Sequence, residues 1–174
     1  MITATMALGV ALTACVTDVG SRRIPNVLTL GGAAAALVFH AVTAEGAGIG
    51  TAAMGWLVGT AVFLPFFLLG GMGAGDVKLM AGIGAWLGAA VTFYAFCVTV
   101  VVGAVMALLM VLAQNSFRKH YKNFLLIWIE WWTIRNPREL SKIAADRKSK
   151  MFLLPYGIPI CIGSIAYFLY AGMN

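Results

Sequence analysis

Asp18 and Asp76 are two of only six acidic residues in a chain of 174. Each sits where an apolar run meets a polar turn. Asp76 lies in the stretch Gly70-Gly71-Met72-Gly73-Ala74-Gly75-Asp76-Val77-Lys78, and this aspartate and Lys78 are the only charges between Glu45 and Arg118. An ionisable side chain at membrane depth is expensive and marks function by default. Two carboxylates about 3 Å apart cannot both ionise easily and share one proton, so their titration belongs to the pair. The ionised member can take a proton from water while the protonated member donates to a scissile carbonyl oxygen. That chemistry is hydrolysis of an amide without a covalent intermediate.

Rival chemistries find little support. No Ser–His or Cys–His arrangement is evident, His40 falls near the far end of an apolar run, and His120 lies in a basic stretch. Two histidines with no third ligand at a familiar spacing argue against a metal site, and no cofactor is expected. Cys15, Cys97 and Cys161 form no CxxC pair and read as small buried hydrophobes. The glycine stretch follows no strand and lacks G-x-G-x-x-G spacing, which excludes a nucleotide loop. Gly73 and Gly75 flank Ala74 and permit backbone angles and close approaches that side chains block, so an extended substrate segment could lie along them. Gly73, Gly75, Lys78, Pro25, Asn26 and Pro155 are the candidates for holding a substrate backbone. The competing reading makes the glycines a plain linker, Lys78 a snorkelling headgroup contact, and Arg22-Arg23 a topology signal.

Placing two distant acids together is the task of the remaining chain. Hydrophobic residues make up 61% of the sequence and charged residues 10%, and mean hydropathy is +0.92. Soluble domains average about 45–50% apolar and about 25% charged. The expected fold is therefore an all-α integral membrane protein of one domain, residues 1–174. Six transmembrane helices are read at about 2–17, 27–43, 52–69, 77–90, 91–113 and 151–171. Pro25 can pre-set the first turn of the second span, and Pro65 is expected to kink the third near its exit. Gly82, Gly84 and Gly88 have the spacing that lets helices approach closely in lipid. Pro155 and Pro159 should leave the first turns of the last span irregular.

The charges agree with this layout. Arg22-Arg23, Lys78 and the stretch 114–150 all fall on one side by parity, and the opposite loops carry no Lys or Arg. The positive-inside rule makes the basic side cytoplasmic. It puts both termini outside and both aspartates at the cytoplasmic face. Residues 114–150 hold nine of the twelve basic residues. They are read as a cytoplasmic, interfacial insert before the last helix. Phe124 to Trp132 is apolar but too short to span; its three tryptophans, flanked by Lys122 and Arg135, suit the headgroup layer. Asn136-Pro137-Arg138-Glu139 resembles a helix start. The net charge of +6 thus reads as topology and attraction to anionic headgroups, with no nucleic-acid partner. Leu12-Thr13-Ala14-Cys15 looks like a lipobox, but residues 1–14 carry no Lys or Arg, so a retained first helix is expected.

At the same residues the chain resembles a known family. Asp18 followed by Arg23-Ile24-Pro25-Asn26, then Gly71-Met72-Gly73-Ala74-Gly75-Asp76-Val77-Lys78-Leu79, is similar to the type IV prepilin peptidases, membrane aspartic proteases of the GxGD class. The similarity continues through Gly84-Ala85-Trp86-Leu87-Gly88 and Pro155-Tyr156-Gly157-Ile158-Pro159. With its length, the pattern resembles the short TadV/CpaA branch that serves tight-adherence (Flp) pili. The resemblance implies catalytic roles for Asp18 and Asp76 and positions Gly73 and Gly75 as the motif glycines. It implies prepilin or pseudopilin substrates with a short basic leader, cut after a glycine at the cytoplasmic face of a bacterial inner (plasma) membrane. Bifunctional relatives also carry an amino-terminal tetracysteine zinc domain and methylate the new terminus. This chain has neither the length nor the cysteines, so N-methyltransferase activity is not expected. Two readings from other classes stay open: a small transporter or proton-relay subunit using the same acids, and a non-catalytic pilus-assembly scaffold. A relay needs acids deep in the span, whereas a scaffold leaves Asp76 without a purpose.

Overall fold

The structure, a computed structural model, describes residues 2–21, 23–43, 47–113, 117–134, 139, 143 and 156–172. The helix start read at Asn136–Glu139, together with Arg22 and Pro155, falls wholly or largely outside them. Seven helices are described: α1 (Ile2–Ser21), α2 (Asn26–Thr43), α3 (Ala47–Leu68), α4 (Ala74–Leu87), α5 (Ala89–Ala113), α6 (Phe117–Thr133) and α7 (Gly157–Gly172). No strand occurs among the described residues.

Four of these helices, α1, α2, α3 and α5, are long and apolar enough to cross a membrane. Their surfaces carry exposed Leu, Val, Ile, Met and Phe side chains, among them Val27, Val42, Leu109 and Val16. A surface so apolar calls for lipid around it. Buried hydroxyls are satisfied by the carbonyl four residues back: Thr92 Oγ1 donates to the Gly88 carbonyl at 2.6 Å, Thr99 Oγ1 to Ala95 at 2.7 Å, and Ser164 Oγ to Ile160 at 2.9 Å. That is the accounting a hydrocarbon environment imposes, since lipid offers no partner.

The remaining two apolar helices differ from the spans expected at 77–90 and 151–171. Helix α4 has 14 residues and is about 21 Å long at 1.5 Å per residue, short of a hydrocarbon core of about 30 Å. Ten of its residues, Asp76, Val77, Leu79 to Trp86, are buried. It is the central element, packed on α1, α2, α3 and α5. A helix that is apolar all round belongs inside, and here the inside is the bundle core. Helix α7 has 16 residues and packs on α1 and α5. Its Pro159 is buried within the helix rather than ahead of it. Pro65 likewise lies inside α3, and Pro25 sits just before α2, where its carbonyl accepts the Leu28 and Thr29 amides at 3.1 and 3.3 Å.

Small residues let the core close. Gly55 and Gly84 put α3 and α4 backbone to backbone; a Cβ on either would fall onto the other's carbonyl oxygen. The packing role expected of Gly84 is thus realised against α3, and that of Gly82 against Thr29 of α2, whose carbonyl would lie 2.9 Å from an added Cβ. Gly88 ends α4 with φ of 80°, a backbone open chiefly to glycine. Gly55→Val is therefore expected to force α3 off α4. Overpacking costs about 1–3 kcal/mol and sometimes more. The thermal midpoint of the detergent-solubilised protein should drop, with lower membrane yield. A midpoint equal to wild type would show that these helices do not meet there.

Candidate active site

Asp18 reaches the core through the register of α1. The buried face of that helix is Ala7, Ala11, Ala14 and Asp18, a spacing of four, three and four residues that stays on one side of a helix. The alanines bring α1 close to its neighbours, and the aspartate continues their line. The helix runs on to Ser21, so Asp18 lies within it rather than ending it, as the sequence suggested.

Asp18 is 7% exposed, and its Oδ2 accepts the Gly157 amide at 2.9 Å. Gly157 is the first residue of α7. The first amides of a helix have no partner within it, and an anion is favoured there by the helix dipole. The carboxylate thus caps α7 from another helix, and the bond joins residues 139 positions apart. The fit needs glycine: a Cβ at 157 would lie 2.9 Å from both Asp18 Cβ and Oδ2.

Asp76 occupies the third position of α4 and is also 7% exposed. Its Oδ2 accepts the Gly73 amide at 2.8 Å. A side chain at this position that reaches back to the N-cap amide is half of a capping box. The preceding glycines divide the work. Gly70, φ 77°, ends α3: its amide bonds the Phe67 carbonyl at 2.9 Å and the Gly71 amide bonds Phe66 at 3.0 Å. That double bond pattern with a left-handed residue is the Schellman helix stop. Gly73 has φ of −85°, which any residue adopts, and Gly75 is helical and faces Ile24, 3.4 Å from where its Cβ would be. The unusual backbone angle expected at Gly73 and Gly75 therefore belongs to Gly70. The motif glycines instead supply an amide to Asp76 and room for Ile24.

The two acids stand at the same end of the bundle. Ile24 against Gly75, and Lys78 Nζ donating to Asn26 Oδ1 at 3.0 Å, tie the α1–α2 turn to the start of α4. Lys78 and Asn26 are thus brought together, with Pro25 beside them. The start of α7 reaches the same end through the Gly157 amide bonded to Asp18. His40 belongs to the opposite end, where Nε2 meets the Trp86 carbonyl at 3.4 Å. No group of three or more His, Cys, Asp or Glu side chains suited to a metal occurs among the described residues.

Sequence reasoning left Gly157 and Gly70 out of the site. A glycine at a helix end was a readable sign for Gly70. The alanine register was a readable sign that Asp18 faces inward. Nothing local announces that Gly157 meets Asp18.

What this arrangement offers chemically is two buried carboxylates, each fixed by one backbone amide, at the rim of an apolar bundle. No curated protein and no solved structure matches the chain. Residues 5–108 match the model of the type IV leader peptidase family, a match that covers more than half of the 174 residues and includes Asp18 and Asp76. The chain therefore belongs to the type IV leader peptidase family, as a helical membrane protein with the hydrolase activity of a peptidase.

Proposed function

We propose that this protein is an aspartic endopeptidase that removes the basic leader from Flp-like prepilins, using Asp18 and Asp76 to activate water and donate a proton to the scissile carbonyl oxygen. One observation supports the reading: in a member of this family, Asp18 and Asp76 are both buried, and the turn after the helix of Asp18 packs on the start of the helix of Asp76 through Ile24–Gly75 and Asn26–Lys78. Paired acids of this kind perform general acid–base hydrolysis without a nucleophilic side chain. Gly73 serves by orienting Asp76. Lys78, Asn26, Pro25, Gly75 and Pro155 are proposed to border the path of the substrate backbone. No cofactor takes part, and methylation of the new terminus is not part of the activity.

The proposed setting is the bacterial inner membrane. In it α4 and α7 complete a six-helix bundle with α1, α2, α3 and α5, the acids face the cytoplasm, and both termini face outward. The positive-inside distribution supports this orientation. Helix α6 is proposed to lie on the cytoplasmic headgroups as the core of the insert 114–150. Its Leu125, Leu126, Trp128, Ile129 and Trp132 are exposed, and Arg118, Lys119 and Lys122 precede or flank them. Exposed apolar side chains with basic residues close by in sequence suit an anionic interface. Deleting residues 118–148 is expected to slow cleavage about fivefold or more in anionic-lipid vesicles, where each basic residue near the surface adds about 1 kcal/mol of attraction. The rate in detergent should be unchanged. Equal rates in both settings would remove the lipid role.

The direct test is reconstitution of the purified chain with a synthetic Flp-like prepilin, followed by mass spectrometry of the products. A single cut between leader and apolar segment is expected. An intact substrate, with proton or solute flux across the vesicles instead, would replace the peptidase by a transporter.

A further inference from the structure

Two of the three cysteines meet beside the amide that holds Asp18. The end of α1 reaches the start of α7 where Asp18 accepts the Gly157 amide, and the two helices pack along one another, so they run antiparallel. Cys15 stands three residues before Asp18, and Cys161 stands four after Gly157. At 1.5 Å per residue these steps are about 4.5 and 6 Å in the same direction along the bundle. Each step keeps to one face of its helix. The two thiols thus come to one level, and their side chains interact across the interface. Both are free; Cys161 is buried in the core and Cys15 is half-buried against it.

The spacing of the helices suits a covalent bond. A disulfide joins Cβ atoms about 3.5–4.5 Å apart. At Gly157 an added Cβ would lie 2.9 Å from Asp18 Cβ, so α1 and α7 approach there more closely than a disulfide requires. One turn further on, closing the sulfur–sulfur contact to about 2.05 Å asks only a small adjustment of the two helices. The acid–base chemistry of the aspartates uses neither thiol.

We infer that Cys15 and Cys161 form a reversible disulfide, made by a peroxide, that displaces Asp18 and slows the enzyme. The effect on catalysis rests on the peptidase reading; the disulfide itself does not. Half-buried Cys15 meets the peroxide first. Its sulfur attacks one oxygen, the O–O bond breaks, and the other oxygen leaves as water with the thiol proton, so Cys15 becomes a sulfenic acid. The Cys161 sulfur then attacks the Cys15 sulfur, the S–O bond breaks, and a second water leaves with the Cys161 proton. Each sulfur gives up one electron, and the peroxide is reduced to two waters. An external dithiol restores both thiols by exchange and becomes a disulfide itself. The shift that closes the sulfur–sulfur bond passes along one stiff helical turn to Asp18 and Gly157, where the packing leaves no slack. A displacement of about 1 Å at a reacting group costs on the order of 10²-fold in rate.

The experiment treats the purified wild type with hydrogen peroxide, then follows non-reducing mass spectrometry and prepilin cleavage before and after dithiothreitol. A peptide pair joined through Cys15 and Cys161 is expected, with kcat lowered at least about tenfold and restored by dithiothreitol. Cys15→Ala and Cys161→Ala should cleave at the wild-type rate and keep that rate under peroxide. Cys97→Ala, which removes the exposed thiol of α5, should respond as the wild type does. Absence of the crosslink overturns the disulfide. A crosslinked protein that still cleaves at the reduced rate, a loss that dithiothreitol does not reverse, or an equal loss in Cys15→Ala overturns the control of catalysis. A reduced wild type that cuts nothing overturns the peptidase reading and that control with it, while the crosslink is judged by mass alone.

Discussion

Asp18→Asn and Asp76→Asn are each expected to lower leader cleavage by about 10²–10⁴-fold, the contribution of a positioned acid or base, while both variants accumulate in membranes at wild-type levels. The structure explains why asparagine separates chemistry from folding here. Each carboxylate holds a backbone amide through Oδ2, Gly157 for Asp18 and Gly73 for Asp76. An asparagine carbonyl oxygen accepts the same bond, so the cap on α7 and the cap on α4 survive. What is lost is the ability to exchange a proton. Alanine is a poorer test, because each substitution also takes the acceptor from one backbone amide, Gly157 or Gly73, at about 1–3 kcal/mol. The measurement is cleavage of a prepilin by the purified variants, with thermal midpoints taken in parallel. Wild-type turnover by either asparagine variant would end the two-acid mechanism.

The second large effect is expected from a residue with no side chain. Gly157→Ala puts a Cβ 2.9 Å from Asp18 Cβ and from its Oδ2. Real Cβ atoms do not approach that closely, and Asp18 is held in place by the alanine face of α1. Either α7 retreats or the carboxylate turns away from the Gly157 amide. A displacement of about 1 Å at a reacting group can cost about 10²-fold in rate, and that loss is expected in kcat rather than in KM, since Asp18 is proposed to act on the chemical step and not on binding. Gly163 offers a comparison on the same helix: it packs tightly on Ala95 and Thr99 of α5, away from the acids. Gly163→Ala should lower the thermal midpoint with little change in kcat per folded molecule. If Gly157→Ala lost stability and activity in the same proportion as Gly163→Ala, Gly157 would be a packing residue only.

These predictions mark how far the residues could be read in isolation. The charge-poor composition, the apolar runs and the isolated acids led directly to a helical membrane protein and to Asp18 and Asp76. Some helix ends were also legible: α2 (Asn26–Thr43) and the end of α5 (Ala113) fall within a residue of the runs read for them, whereas α1 runs four residues further and α3 starts five residues earlier. Hydropathy could not show what surrounds α4, for a physical reason. A helix facing lipid and a helix buried among other helices are equally apolar, so a window over residues 77–90 cannot tell which solvent surrounds them. Length and the glycine contacts with α3 and α2 decide that α4 lies inside the bundle. The glycine stretch was misread in detail for a related reason. Composition shows that four glycines are there, but only the backbone shows that Gly70 alone among them takes a left-handed angle.

The sequence by itself determined the apolar surroundings and the family, because those are written in residue type and short spacing. Only the tertiary structure decided what holds the acids in place. The amide that orients Asp18 comes from a glycine 139 residues away, and the helix that carries Asp76 is seated by Gly55 of α3 against its own Gly84. Contacts between distant segments carry no local periodicity, since they follow from which helix faces pack together. A site made of such contacts becomes visible only when the packing is known.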